Sequence, residues 1–138
     1  MASNRALGQL LKEHGINPTQ QRLEIAHILF ARDQHMSAEQ VLKLANAGQS
    51  VVSKATVYNT LGLFAEKGLL REVIVDPSKV FYDSNTRPHQ HFYNTDTGEI
   101  LDIPHDTVKL DNLPELPDGT QMTGVDIVIR LNQADKQD

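Results

Sequence analysis

The chain has 138 residues, with 13 Lys and Arg against 18 Asp and Glu, and it contains no cysteine. This length allows one good core or two small ones, and the absence of cysteine excludes disulfides, thiolate zinc sites and cysteine-based catalysis. No apolar run approaches the ~20 residues of a membrane span, and the first residues lack the apolar segment of a secretory signal. We therefore expect a cytoplasmic protein with no membrane partner.

The charge is divided unevenly along the chain. Residues 1–84 carry nine Lys and Arg against eight Asp and Glu, a net charge of +1, whereas residues 85–138 carry four against ten, a net charge of −6. A nearly neutral half can bind a polyanion through a local basic patch, while an acidic half repels polyanions and attracts metal cations. The two halves therefore indicate different partners.

Helical periodicity runs through most of the first half. We predict helices that end at His14-Gly15, open at Pro18-Thr19, open at Ser37 and run from Ser53 to Gly68. The third begins with S-A-E-Q, a capping box in which the Ser hydroxyl and the Gln side chain satisfy free backbone groups. A short turn containing Gly48, Gln49 and Ser50 joins the last two helices, which is the helix-turn-helix arrangement.

The Ser53 to Gly68 helix, S-K-A-T-V-Y-N-T-L-G-L-F-A-E-K-G, has an unusual outer face. Its apolar side carries Val57, Leu61 and Phe64. The opposite side carries two small residues, an amide and a carboxylate, with a phenol beside them: Ala55, Gly62, Asn59, Glu66 and Tyr58. Such a face lets another body approach closely, although an ordinary amphipathic helix with an exposed tyrosine remains an alternative. As a helix that enters the major groove of DNA, it would place Tyr58 and Asn59 at base edges and Lys54 and Thr56 at the backbone.

A predicted hairpin follows this helix. Arg71 to Val75 and Val80 to Asp83 read as strands around the turn D-P-S-K. A hairpin at this place is a wing, and Lys79 at its tip is placed to contact phosphate, although a single loop lysine is more often plain solvated surface. We place an interdomain hinge at about residues 83–88, where a polar run closes with Pro88, and hence domains at 1–84 and 85–138.

The second half is predicted to form a small sheet. H-Q-H-F-Y-N and E-I-L-D-I flank a T-D-T-G turn, and Val125 to Leu131 alternates as a third strand. Between them, residues 107–112 are compatible with one or two helical turns. The predicted fold class is α+β: an N-terminal winged helix-turn-helix domain and a small C-terminal α/β dimerisation domain, whose apolar face a second copy would cover.

A histidine pair in the second half suggests a metal site. His89 and His91 lie two residues apart on a predicted strand, so both imidazoles project to one face. With carboxylates at Asp83 and Asp102, such a set suits Fe²⁺, Mn²⁺ or Zn²⁺. An H-x-H pair alone is often no site at all, and His35 considered by itself is an ordinary surface residue.

These motifs together resemble the Fur superfamily of metal-responsive bacterial repressors. The resemblance is carried by L-K-E-H-G-I-N-P-T-Q-Q-R, H-M-S-A-E-Q-V, S-K-A-T-V-Y-N-T-L, F-A-E-K-G-L-L and the H-x-H hairpin, in this order from about Leu10 to Leu131. It implies a homodimer on double-stranded DNA with a palindromic A/T-rich operator, and a phosphate contact from Arg22. It also implies the regulatory metal set of the peroxide-sensing members, which falls on His35, Asp83, His89, His91 and Asp102.

Two departures bear on the effector. Many members carry a C-x-x-C zinc site where this chain has Asn94 and Thr97, so no structural cysteine zinc is expected. The segments D-T-G-E-I-L-D-I and L-P-E-L-P-D-G-T-Q-M-T-G-V-D-I-V-I-R-L resemble the iron response regulator branch, which implies haem as a further ligand, with His89 and His91 as its candidate residues.

The resulting expectation is a sequence-specific regulator, mostly a repressor, that responds to iron status through a metal or haem. The alternative is a peroxide-sensing repressor that uses Fe or Mn. Two other classes fit less well: a metal-dependent enzyme, for which the sequence supplies no nucleophile, and a metal-storage module, which leaves the outer face of the Ser53 helix unexplained.

Overall fold

The computed structural model describes residues 3–48, 51–76, 78–87, 89–104 and 106–134. The chain divides into two compact units, Met1–Thr86 and Arg87–Asp138. The described residues contain, in chain order, α1 (Asn4–Glu13), α2 (Gln20–Leu29), β1 (His35–Ser37), α3 (Ala38–Ala45), α4 (Lys54–Glu66), β2 (Arg71–Asp76), β3 (Lys79–Asp83), β4 (His91–Asn94), β5 (Ile100–Asp102) and β6 (Val128–Leu131). The predicted α+β class is confirmed.

Side-chain caps begin the helices where the sequence predicts them. The hydroxyls of Thr19, Ser37 and Ser53 accept hydrogen bonds from backbone amides three residues ahead, at 3.3, 3.2 and 3.1 Å. Each satisfies a backbone donor that has no partner within the helix. Gly15 and Gly68, with φ of 75° and 85°, follow α1 and α4 in the left-handed conformation that ends a helix.

The core of the first unit lies under α4. Val57, Leu61 and Phe64 are fully buried against apolar side chains of α1, α2 and α3, which confirms the predicted inner face. The side chain of Asn46, just after α3, bonds both backbone groups of Val52, donating to its carbonyl at 3.0 Å and accepting from its amide at 2.6 Å. These two hydrogen bonds fix the backbone that leads into α4. Gln49 and Ser50 of the predicted turn lie outside the described residues.

The wing is a sheet with the strand order β1-β3-β2, all antiparallel. The hairpin of β2 and β3 is confirmed, while Pro77 of its turn lies outside the described residues. Strand β1 was not predicted: His35 by itself was expected to be an ordinary surface residue, but it pairs with Asp83 across β1 and β3. A three-residue strand shows no periodicity of its own, because it exists only through its pairing with a distant strand.

The sheet of the second unit has the order β5-β4-β6, with β4 and β5 antiparallel and β4 and β6 parallel. The predicted hairpin is confirmed, but β6 begins at Val128 instead of Val125. The helical turns predicted for residues 107–112 are wrong: this segment is described throughout and contains no helix. So short a helix has little stability without packing. Pro88 of the predicted hinge and residues 135–138 of the tail lie outside the described residues.

Hydrogen bonds close the turn between β4 and β5. This turn contains Asn94 and Thr97, the positions at which the resemblance implies a C-x-x-C pair in many family members. The Asn94 side chain accepts from the amides of Asp96 and Thr97 at 2.9 and 3.1 Å, and its carbonyl accepts from the amide of Gly98 at 2.8 Å. The amide and the hydroxyl of Thr95 both donate to the carbonyl of Leu131, at 2.8 and 3.0 Å. These hydrogen bonds hold the turn and anchor it to β6.

Replacing Asn94 by alanine should lower the free energy of unfolding by about 1–3 kcal/mol, because two backbone amides lose their acceptor. Thermal and urea unfolding of the purified protein measure the change. Gln121→Ala is the matched control, since Gln121 is an exposed amide side chain in a segment without regular structure. If the two variants unfold alike, the side-chain bonds of Asn94 do not stabilise this turn.

Candidate functional site

Two histidines and a carboxylate meet in the second unit. His91 on β4 lies directly opposite Asp102 on β5, and its Nε2 is 3.4 Å from an Asp102 carboxylate oxygen. The Nε2 of His89 is 3.3 Å from the same oxygen, and the two imidazole centroids are 4.4 Å apart. His91 is 2% exposed, whereas the Asp102 side chain is 50% exposed. His91 is therefore buried in the core, whereas the Asp102 carboxylate is half exposed.

Gln90 holds the backbone between these histidines. Its carbonyl accepts from the amide of Ile103 at 2.8 Å, and its side chain accepts from the amide of Ile127 at 2.6 Å. It therefore ties the start of β4 to both neighbouring segments. The Nδ1 of His89 lies against the carbonyl of Arg87. A carbonyl only accepts, so Nδ1 of His89 carries a proton, and Nε2 is the ring nitrogen that could bind a metal.

The first unit contains a second pair of the same chemistry. The Nε2 of His35 is 3.0 Å from a carboxylate oxygen of Asp83, and the Asp83 side chain is 1% exposed. Ser84, next to Asp83, holds the segment that precedes His35. Its hydroxyl donates to the carbonyl of Arg32 at 3.1 Å and accepts from the amide of Gln34 at 3.1 Å. The pairing of β1 with β3 and the Ser84 bonds together set His35 opposite Asp83.

Imidazole nitrogens and carboxylate oxygens are ligands of borderline divalent ions such as Fe²⁺, Mn²⁺ and Zn²⁺. The donors of His89, His91 and Asp102 lie within 4.8 Å of one another, so one ion placed among them could contact all three. The buried imidazole of His91 suits this use, and so does the Nδ1 contact of His89, which leaves its Nε2 for the ion. The donor set thus fits a divalent metal.

The second candidate surface is the outer face of α4. Ala55, Asn59, Gly62 and Glu66 are exposed there, and Tyr58 is 39% exposed. The Tyr58 hydroxyl donates to a carboxylate oxygen of Glu39 on α3 at 3.4 Å, and the Lys54 ammonium lies 5.7 Å from the Tyr58 ring centroid. The ring is held between two charged side chains and still faces solvent.

The residues predicted to contact the DNA backbone make local hydrogen bonds. The Thr56 hydroxyl accepts from the hydroxyl of Ser53 at 2.8 Å, which leaves its own O–H able to donate. Arg22 donates one guanidinium N–H to the carbonyl of Asn17 at 2.8 Å, and a guanidinium has further donors. Both contacts orient these side chains without using all of their donors.

Lys79 is the first residue of β3 and is exposed. The neighbouring carboxylate of Asp76 accepts from the hydroxyl and the amide of Ser78 at 2.7 and 2.8 Å. These hydrogen bonds, the hydroxyl first, lower the pKa of Asp76. Asp76 therefore stays ionised beside Lys79 and reduces the positive potential that Lys79 offers to a phosphate.

The sequence reasoning missed three positioning residues: Glu39, Ser84 and Gln90. Their partners are distant in the chain or lie on another element, so no local pattern identifies Glu39 or Ser84. Gln90 could have been suspected from the sequence, because it is a polar residue that stands between two candidate ligands, His89 and His91, on a predicted strand.

A helix-turn-helix, a wing and a histidine-aspartate group that could hold a metal ion are together the features of winged-helix regulators that respond to a metal. The model of the ferric uptake regulator family matches residues 13–131, and the chain belongs to this family. Fur-family proteins are transcription regulators, so the prediction that the chain is not an enzyme is confirmed.

Individual relatives are more distant. The chain is 30% identical over 95 residues to the peroxide-responsive repressor PerR of Staphylococcus aureus, a match that spans 69% of this chain and 64% of that protein. The ferric uptake regulator of Vibrio cholerae has a TM-score of 0.72 at 23% identity, with 92% of this chain and 99% of that chain covered. The Pseudomonas aeruginosa regulator, solved with manganese, has a TM-score of 0.68 at 22% identity, with 93% and 98% covered. Among the described residues, no helix is both long and apolar enough to cross a membrane.

Proposed function

We propose that the protein is a sequence-specific DNA-binding transcription regulator, with the first unit as its DNA-binding domain. The observation that carries the proposal is the outer face of α4. Small residues at Ala55 and Gly62 leave room for a major groove, and Tyr58 and Asn59 stand exposed between them. In this arrangement Tyr58 and Asn59 contact base edges, while Lys54, Thr56, Arg22 and Lys79 contact the phosphate backbone.

The second proposal concerns the regulatory metal. His35, Asp83, His89, His91 and Asp102 together supply the ligands of one divalent ion, Fe²⁺ or Mn²⁺, with Zn²⁺ as a substitute in vitro. The support is the donor chemistry, since each unit holds only part of a ligand set: the pair His35 and Asp83 in the first, and three donors in the second. When bound, the ion supplies the positive charge that joins these carboxylates and imidazoles.

The second unit serves as the dimerisation and metal-sensing domain in this proposal. It exposes several large apolar side chains: Leu101, Leu110, Leu113, Leu116, Met122, Ile129 and Leu131. Burying such surface against a second copy removes it from water. The resulting two-fold homodimer would read a palindromic A/T-rich operator with half-sites about one helical turn, 34–36 Å, apart. The proposal also includes a cytoplasmic location, since a regulator must reach the DNA that it binds.

Two effector schemes fit this protein. In the first, a repressor of the iron response type follows iron status; in the second, the protein is a peroxide sensor that uses Fe or Mn. The likeness to the Staphylococcus aureus repressor favours the second scheme. Haem at His89 and His91 rests only on the resemblance to the iron response branch, and the comparisons give it no support. We therefore propose a divalent ion as the effector.

The direct test of DNA recognition is selection from a duplex library with a randomised central segment. Purified protein is stripped of metal with a chelator and then used with and without Mn²⁺. The proposal expects a two-fold symmetric A/T-rich sequence to be enriched under one of these conditions and not the other. No enrichment under either condition would contradict it.

Lys79→Ala should weaken binding to the enriched duplex and to a scrambled duplex by the same factor. It should also reduce the slope of log affinity against log salt by about 1, because one phosphate contact is lost. Fluorescence anisotropy at several salt concentrations measures both effects. Lys109→Ala, in the second unit, is the matched control. A loss confined to the enriched duplex would show that Lys79 reads sequence and not charge.

A further inference from the structure

The contact between Tyr58 and Glu39 has a defined direction. A phenol carries one donor hydrogen and an ionised carboxylate carries none, so the Tyr58 hydroxyl donates and Glu39 accepts, at 3.4 Å. Lys54 lies over the ring, 5.7 Å from its centroid. Glu39 lies in the first turn of α3 and Tyr58 lies on α4, so the bond also joins the two helices of the helix-turn-helix.

This direction limits what Tyr58 can offer to a base. Once its hydrogen points to Glu39, the phenol oxygen presents only acceptor lone pairs. In the major groove the exocyclic amines of adenine and cytosine are donors, whereas guanine and thymine present acceptors at O6, N7 and O4. A phenol that only accepts can therefore bond adenine or cytosine, and faces guanine or thymine with acceptor against acceptor.

We propose that Glu39 is a specificity-determining residue that acts through Tyr58. By holding the tyrosine hydrogen, it makes Tyr58 select a base with an exocyclic amine, adenine or cytosine, at one position of each half-site. The inference rests on the proposed DNA-binding function of α4. It goes beyond that function by assigning a role to a residue of α3 and by naming the chemistry of the selected base.

Glu39→Gln tests this role, because glutamine has nearly the same shape but can donate. Its amide can donate to the phenol oxygen, which frees the tyrosine hydrogen to donate to guanine or thymine. The probe is the randomised duplex library, used with Mn²⁺ and without metal. Wild type, Glu39→Gln, Tyr58→Phe and Glu13→Gln are compared. Glu13 is an exposed glutamate at the end of α1, away from the outer face of α4, so its variant controls for the lost charge.

The expected result is a change at one base position of each half-site. Wild type selects adenine or cytosine there, and Tyr58→Phe flattens the preference. Glu39→Gln lowers the ratio of adenine or cytosine to guanine or thymine at the same position by about fivefold or more. Glu13→Gln leaves that ratio unchanged, although either neutral variant can bind all DNA somewhat more tightly. A purely structural role of Glu39 would not alter one base position alone.

Three results would overturn the inference, and they differ in what else they affect. If Tyr58→Phe flattens a position that Glu39→Gln leaves unchanged, Tyr58 reads DNA without Glu39 and the proposed function stands. If Tyr58→Phe changes no position, the base contact is made by other residues and the regulator still binds specifically. If wild type enriches no sequence with or without Mn²⁺, the inference and the proposed function fall together.

Discussion

Replacing His91 by alanine is expected to lower the affinity for Mn²⁺ by at least ~100-fold, because a direct ligand is lost and even supporting residues of metal sites contribute 10–100-fold. The same change should remove the effect of Mn²⁺ on DNA affinity. Isothermal titration of chelator-treated protein measures the first loss, and anisotropy with the enriched duplex measures the second. His27→Ala, in the first unit, is the matched histidine control.

The buried position of His91 calls for a second variant. Alanine at a side chain that is 2% exposed leaves a cavity and can lower stability, whereas the Asp102 side chain is half exposed. Asp102→Ala should therefore lose Mn²⁺ binding with little change in melting temperature. His35→Ala should abolish the same single binding event if one ion is shared, and full affinity in this variant would show that the second unit binds metal alone.

The two variants also distinguish the effectors. Asp102→Ala removes a hard oxygen ligand but spares a haem held by imidazole. A haem response that survives Asp102→Ala and is lost in His91→Ala would contradict the divalent-ion proposal. In the peroxide-sensing scheme, Fe²⁺ followed by peroxide is expected to add oxygen to a site histidine and to change DNA binding. Mass spectrometry of tryptic fragments measures the added oxygen.

Tyr58→Ala is expected to lower the preference for the enriched duplex over a scrambled one by about 1–3 kcal/mol, which is the cost of one lost base contact. The physical reason is that Tyr58 offers its ring and hydroxyl to the groove while the inner face of α4 stays packed. Competition anisotropy with both duplexes at one salt concentration gives the ratio directly. Equal weakening on both duplexes would remove Tyr58 from base readout and leave it a backbone contact.

The helical part of the fold could be predicted because its signals are local. Ser37 and Gln40 form the capping box that their spacing predicts, and the buried Val57, Leu61 and Phe64 repeat at helical intervals. Capping and periodicity depend on residues only a few positions apart, so the sequence alone displays them. The outer face of α4 followed from the same spacing.

The elements that were missed depend on partners far along the chain. Strand β1 exists through its pairing with β3 and the bonds of Ser84, about 50 residues away. Strand β6 begins at Val128, and the amide of Ile127 just before it bonds the side chain of Gln90, 37 residues away. Because the partner of His35 is also distant in the chain, His35 could be identified as a candidate ligand only through the resemblance. The H-x-H pair and Asp102, in contrast, follow from the predicted hairpin.

The central claim is that a divalent metal controls DNA binding, and one comparison tests it most directly: the affinity of the purified protein for the enriched duplex, metal-free and with saturating Mn²⁺. The account predicts a difference of about 5–150-fold, the usual size of coupling between two sites, and no difference in His91→Ala. Equal affinity in the two states of the wild-type protein, with Mn²⁺ binding demonstrated by titration, would contradict it.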